Sequence, residues 1–147
     1  MRLMSSLPQF MGLLVCMASA LAATPAPAEL RPADRQEIRN VIERQLEAFR
    51  RDDGVTAFSF AAPGVRAQFR TPANFMKMVR DSYPAVYRPR AVRILDPAVV
   101  GGEIVQAVEV VGPDGTVMMA LYTMQHQPDK AWRIAGCRLV PTAGKST

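Results

Sequence analysis

Apolar residues recur at helical spacing in the first half of the chain and at strand spacing in the second. Ile38, Val41, Ile42, Leu46 and Phe49 form one stripe with a period near 3.6, which predicts an amphipathic helix. Asp34 and Glu37 precede it at the spacing of a capping box, with Asp34 as the cap. Glu47 and Arg51, four apart, suit a pair on the wet face. Asp52-Asp53-Gly54 predicts the helix end, with Gly54 in the left-handed conformation. Val55 to Ala62, carrying Phe58 and Phe60, reads as a brief second helix closed by Pro63-Gly64. Thr71-Pro72 marks a third start, a capping hydroxyl followed by proline at the first helical position. Phe75, Met76 and Val79 give that helix its buried side. Pro84 disturbs it, and Pro89 stops it continuing past Arg88.

From Arg90 the period shifts towards two. Four strands are predicted: Arg90 to Leu95, Glu103 to Val111, Thr116 to His126, and Ala131 to Val140. Gly112-Pro113-Asp114-Gly115-Thr116 is a hairpin signal, with Gly115 suited to a left-handed position. Gln127-Pro128-Asp129-Lys130-Ala131 follows the same logic, although Lys130 stands where glycine is easiest, at a cost of about 1 kcal/mol. These turns set a register: Val108 opposite Ala120, Gln106 opposite Tyr122, Ile104 opposite Met124, His126 opposite Trp132, Met124 opposite Ile134, and Tyr122 opposite Gly136.

One sheet face then carries Ile104, Val108, Val110, Met118, Tyr122, Met124, Trp132 and Ile134. The other carries Val105, Ala107, Val111, Met119, Leu121, Ala135, Cys137 and Leu139. Both are substantially apolar, whereas a wet face alternates more cleanly. Three short helices cover one face only, so the second is expected to pair with another copy in a homodimer. The predicted fold class is α+β: N-terminal helices packed on one face of a curved four-stranded antiparallel meander, a cone-shaped α+β roll.

The first residues stand outside this pattern. Arg2, an apolar run from Leu7 to Ala20, and Ala20-Leu21-Ala22 have the form of a secretory signal peptide. The run is shorter than the roughly 20 residues a bilayer span needs, and Pro8 and Gly12 interrupt it, so no permanent membrane span is expected. Val15 before Cys16 is too large for a lipidation site. A second possible cut follows Ala28. The organisation is therefore a signal peptide over 1–22, an Ala/Pro-rich leader over 23–33, one domain over 34–141, and a flexible tail over 142–147. The expected location is exported, periplasmic or secreted.

Of 147 residues, 18 are Lys or Arg and 13 Asp or Glu, a formal net charge of +5. Removing Arg2 with the signal takes one unit away. This mild excess lacks the dense basic face and interleaved aromatics of nucleic-acid binders, so no nucleic-acid partner is expected. Cys16 leaves with the signal, so Cys137 is alone in the mature chain. A lone exported thiol either lies in the core or pairs between chains, and its apolar strand setting favours the core.

The segment from Ile38 to Leu139 resembles a bacterial family known as domain of unknown function 4864. The resemblance rests on Ile38-Arg39-Asn40-Val41-Ile42, Gln45-Leu46-Glu47-Ala48-Phe49 and Ala57-Phe58-Ser59-Phe60-Ala61. It continues in Phe75-Met76-Lys77-Met78-Val79, Tyr83-Pro84-Ala85-Val86-Tyr87 and Trp132-Arg133-Ile134-Ala135-Gly136-Cys137, the last block being the most specific. Lys130 departs from the glycine expected in the second turn. The resemblance implies an exported bacterial domain with no assigned activity. The helices-then-meander layout is also similar to the nuclear transport factor 2-like superfamily and to cystatin-like rolls, whose members include isomerases, dehydratases and binding modules. Fold alone selects none of these.

No phosphate loop, nucleophile elbow or metal-ligand spacing is present in the sequence, so no catalytic residue, cofactor or metal is assigned. Candidate ligand-binding residues are Tyr83, Tyr87, Gln106, Tyr122, His126 and Arg138. Gln106, Tyr122 and Arg138 are expected on the helix-covered face, either satisfying one another or lining a small cavity. His126, the sole histidine, is either an edge residue stacked on Trp132 or a proton shuttle. Arg80, Arg88, Arg90 and Arg93 form a candidate anion patch beside the two tyrosines. The leading reading is a non-catalytic module that binds a ligand or protein partner. An acid/base enzyme of the isomerase or dehydratase kind, with its pocket inside the cone, is one alternative, and a binder of anionic envelope surfaces is the other.

Overall fold

The computed structural model describes residues 30–142, so the segment expected to be a signal peptide, and most of the expected leader and tail, lie outside the described residues. The described part has helices N-terminal to a four-stranded antiparallel sheet, an α+β arrangement. The helices are α1 (Pro32–Arg50), α2 (Gly54–Ser59), α3 (Pro63–Phe69), α4 (Pro72–Ser82) and α5 (Pro84–Tyr87). The strands are β1 (Ala91–Val100), β2 (Glu103–Val111), β3 (Val117–His126) and β4 (Trp132–Pro141), in that spatial order. The sheet is open and does not close into a barrel.

The α1 stripe is the centre of the core, with Ile38, Val41, Ile42, Leu46 and Phe49 all buried. The capping box does not form. Pro32 starts the helix two residues before Asp34, with Arg31 as N-cap. Asp34 instead receives a two-pronged contact from the Arg31 guanidinium at 2.8 and 3.0 Å. At the other end Asp52, not Gly54, takes the left-handed conformation, at φ 55°. Asp53 then caps α2 by accepting from the Thr56 backbone N–H at 3.1 Å, and Gly54 becomes the first residue of α2. A Cβ there would lie 2.8 Å from Met76 Cγ, so this glycine permits close approach of α2 to α4.

Pro63-Gly64 opens α3 rather than closing the second helix. Proline serves either role, and here it occupies the first helical turn. The Thr71 cap is present: its hydroxyl oxygen accepts from the Asn74 backbone N–H at 3.2 Å. Both hairpin turns also form, with Gly112 and Gln127 donating to Thr116 and Ala131 at 2.9 and 2.8 Å. Lys130 carries the expected positive φ of 70°.

The β2–β3 register is as predicted, and so are the Met124–Ile134 and His126–Trp132 pairs. Beyond them β4 bulges. Met124 pairs with Ile134 and Thr123 with Gly136, leaving Ala135 as the extra residue. Tyr122 consequently faces Cys137, not Gly136. A one-residue slip moves every later side chain to the other face. Cys137 and Leu139 therefore pack against the core, and Arg138 is exposed on the outer face. A second bulge lies in β1 between Ile94 and Pro97, and it extends that strand to Val100, past the predicted end at Leu95.

Candidate functional site

Between α1, α3, α4 and the inner face of β3 and β4 lies a cavity of about 390 Å³. Its back wall is aromatic. The Phe75 ring centroid lies 6.1 Å from that of Phe49, 5.3 Å from Phe58 and 5.9 Å from Phe69. Val79, Val86 and Ile134 continue the apolar lining. The α3 helix forms the outer wall and has no buried residue of its own. It is tied to β4 at its start, where Ala62 N–H donates to Ile134 at 2.8 Å and Ile134 N–H donates to Phe60 at 2.8 Å. At its end, Asn74 Nδ2 donates to the Phe69 carbonyl at 3.0 Å.

The polar part of the lining divides in two: Gln68 and Ser82 are exposed, and Gln45, Tyr83 and Tyr122 lie deeper. Gln45, 3% exposed, donates its amide to the Ala57 carbonyl at 3.1 Å. Tyr83 bridges from the end of α4 to β4, its hydroxyl donating to the Cys137 carbonyl at 3.0 Å. Tyr122 is different. It is 1% exposed, and its hydroxyl has no hydrogen-bond partner among the described residues. The Cys137 thiol lies close enough to act on the phenol's ionisation as a weak hydrogen-bond partner. The pair does not meet the angle and distance of a formed hydrogen bond, and sulfur is in any case a weak acceptor.

These groups keep their protons at neutral pH. Burial pushes the Tyr122 phenol well above its ordinary range. Burial also pushes the Cys137 thiol up to about 12, and raises Tyr83. Cys137 as a residue keeps some surface while its sulfur is enclosed. None of the lining residues is Asp, Glu, His, Lys or Arg. The cavity thus offers a largely apolar interior with one buried unspent phenolic donor, exposed polar groups at Gln68 and Ser82, and no acid/base pair for neutral pH.

Of the six residues singled out in the sequence, Tyr83 and Tyr122 meet at this cavity. Gln106 is 1% exposed beneath the β1 bulge, donating to the Leu95 and Ala107 carbonyls at 2.6 and 3.0 Å. Arg138 faces outward, because the Ala135 bulge reverses its side, so the expected Gln106–Tyr122–Arg138 set does not form. Tyr87 donates to Asp52 and lies beneath the Arg88 guanidinium. His126 stacks on Trp132 with ring centroids 4.6 Å apart, and its Nε2 faces the Lys130 carbonyl at 2.9 Å, away from the cavity.

The candidate anion patch is largely engaged within the protein. Arg88 donates to Asp52 at 2.9 Å and to the Phe49 carbonyl at the end of α1. Arg93 forks onto Glu109 at 3.2 and 3.0 Å. Arg80 and Arg90 are exposed, with Arg80 close enough to Asp52, and Arg90 to Asp114, to lower those carboxyls. Among the described residues no group of His, Cys, Asp and Glu is arranged to hold a metal ion, and no helix is long and apolar enough to cross a membrane.

Cys137, Gln45 and the Phe49–Phe69–Phe75 wall were not picked out as site residues from the sequence. The usable signals were Gly136 inside a strand pattern, which suggests a bulge, and Val65 and Phe69 four apart behind Pro63. A family model described as Domain of unknown function (DUF4864) matches residues 31–147, which spans every described helix and strand. No curated protein matches the chain.

Proposed function

The chain belongs to the DUF4864 family, and we propose that its domain is a non-catalytic module that binds a small molecule in the cavity between α3, α4 and β4. The supporting observation is Tyr122: a buried phenol with no formed hydrogen bond, on the wall of a largely apolar, uncharged cavity. An unmet buried donor costs about 1–3 kcal/mol, a deficit that an acceptor entering the cavity relieves. The cavity volume falls within the roughly 300–1,000 Å³ of small-molecule sites. Naphthalene, titrated into ¹⁵N-labelled protein, should shift the amide signals of Val79, Val86 and Ile134. Shifts confined to the outer sheet face, or none up to the solubility limit, would contradict the reading.

The same proposal places the protein outside the cytoplasm, cut after Ala22 or Ala28, in keeping with the Arg2-to-Ala22 pattern. The mass of the chain recovered from the periplasm of a bacterial host reads the cut directly. A full-length chain retained in the cytoplasm would refute it. It also pairs two copies through the outer sheet face, where Val105, Ala107, Met119, Leu121 and Val140 are only partly covered.

A further inference from the structure

The cavity lining also restricts the chemistry of its occupant, an inference that rests on the ligand-binding reading above. Its donors and acceptors divide unevenly. The Tyr83 hydroxyl is spent on the Cys137 carbonyl, and the Gln45 amide nitrogen on the Ala57 carbonyl. Of the buried groups the Tyr122 hydroxyl remains, with the Cys137 thiol beside it, while Gln68 and Ser82 add uncharged polar groups on the exposed part of the wall. No lysine, arginine or histidine lines the wall to receive an anionic head, and no carboxylate to receive a cationic one. A charge carried into this site would lose its water without gaining a counter-charge. Most of the remaining wall is aromatic and aliphatic, with Phe49, Phe69, Phe75, Val79, Val86 and Ile134.

We propose that the ligand is an uncharged, largely apolar molecule with a carbonyl- or ether-type oxygen that accepts a hydrogen bond from Tyr122. The suppressed ionisation of the phenol and thiol fits this assignment, since both remain proton-bearing at neutral pH.

Three probes on one ring system test it: 2-acetylnaphthalene, 2-ethylnaphthalene and 2-naphthoate, each titrated by calorimetry into the protein recovered after expression of the full chain. The ketone should bind the native protein and weaken roughly tenfold in Tyr122→Phe, the worth of one hydrogen bond. The hydrocarbon should change by less than about twofold, since it makes no such bond. The naphthoate should bind no more tightly than the hydrocarbon. Equal ketone affinity in the native protein and Tyr122→Phe would overturn the assignment of the acceptor. Naphthoate binding as tightly as the ketone would overturn the uncharged class. In both cases retained binding of the hydrocarbon leaves the cavity reading intact, whereas failure of hydrocarbon and ketone alike removes that reading too. A measurement on the native protein alone is independent of how Tyr122→Phe folds. The carbonyl stretch of bound 2-acetylnaphthalene should lie below its value in hexane, and an unshifted band would contradict the hydrogen bond.

Discussion

Tyr122 stands opposite Cys137 across β3 and β4, one residue out of the register that the Gln127–Ala131 turn sets. The cause is local. Ala135 is the extra residue of a bulge, and past it the side chains of β4 exchange faces. The exchange brings a thiol instead of a glycine against the phenol and sends Arg138 outward. A guanidinium turned inward here would have made this a charged site. The bulge makes it an uncharged one.

Tyr122→Phe should stabilise the protein. The change removes a buried hydroxyl without a partner while preserving the ring that packs the core. Relief of about 1 kcal/mol would raise the melting temperature by roughly 4 °C or more for a domain of this size. Calorimetric melting of both proteins without added ligand reads this. A lower melting temperature for Tyr122→Phe would show that the hydroxyl has a partner after all.

Cys137 should be inert in the folded state. Its thiol is enclosed and pushed up to about 12, so thiolate is scarce at mildly alkaline pH. Reaction with a disulfide reagent should be slow in buffer and fast in denaturant. The same shift has a consequence for stability. The folded-state value lies above a thiol's ordinary 9.0, so the contribution is intact below about pH 9 and is lost as pH rises towards about 12. The urea midpoint of the native protein should therefore fall relative to that of Cys137→Ala as pH climbs through this window. A constant difference would contradict it.

How much of this was legible before the structure depends on how local each signal is. The α1 stripe, the Thr71-Pro72 start and the two hairpin turns are written in a few adjacent residues, and each forms as expected. The β2–β3 register follows directly from the Gly112–Thr116 turn. The bulge does not, because a turn sets register only until an extra residue intervenes. Gly136 was a pointer to it that fits equally well as an aromatic partner for Tyr122. Pro63 was similarly ambiguous between ending one helix and starting another, and α3 was missed on that account. The cavity has no linear signature at all, since its wall draws residues from helices and strands far apart in the chain.

Asp34 ties the start of α1 to β4. It holds the Arg31 guanidinium, and it accepts from the Trp132 indole N–H at 3.2 Å. The Arg31 hydrogen bond, aided by the indole, lowers its carboxyl to about 2 against some opposing desolvation. A lowered folded-state value means a contribution present above the ordinary value of 3.8 and lost as pH falls through about 2. Trp132 is the single tryptophan, so its emission reports on this tie. Asp34→Ala should red-shift the emission and lower the melting temperature at neutral pH, with the difference from the native protein shrinking under acid. An unchanged spectrum would sever the proposed link between α1 and β4.

The outer sheet face yields a separate expectation. Leu121 lies there, opposite Ala107 and Arg138, and is only partly covered. If two copies pair through this face, Leu121→Glu should convert a dimer to a monomer in sedimentation while its melting transition stays cooperative, because burying an unpaired carboxylate is costly. A native protein that sediments as a monomer at micromolar concentration would remove the dimer.

The central claim is that the cavity walled by Phe75, Tyr83 and Tyr122 receives an uncharged ligand. A crystal structure of the protein with 2-acetylnaphthalene tests it most directly. The account predicts the rings between α3, α4 and β4, with the ketone oxygen about 2.7 Å from the Tyr122 hydroxyl. A ligand seated on the outer sheet face, or in the cavity with its oxygen turned away from Tyr122, would contradict it.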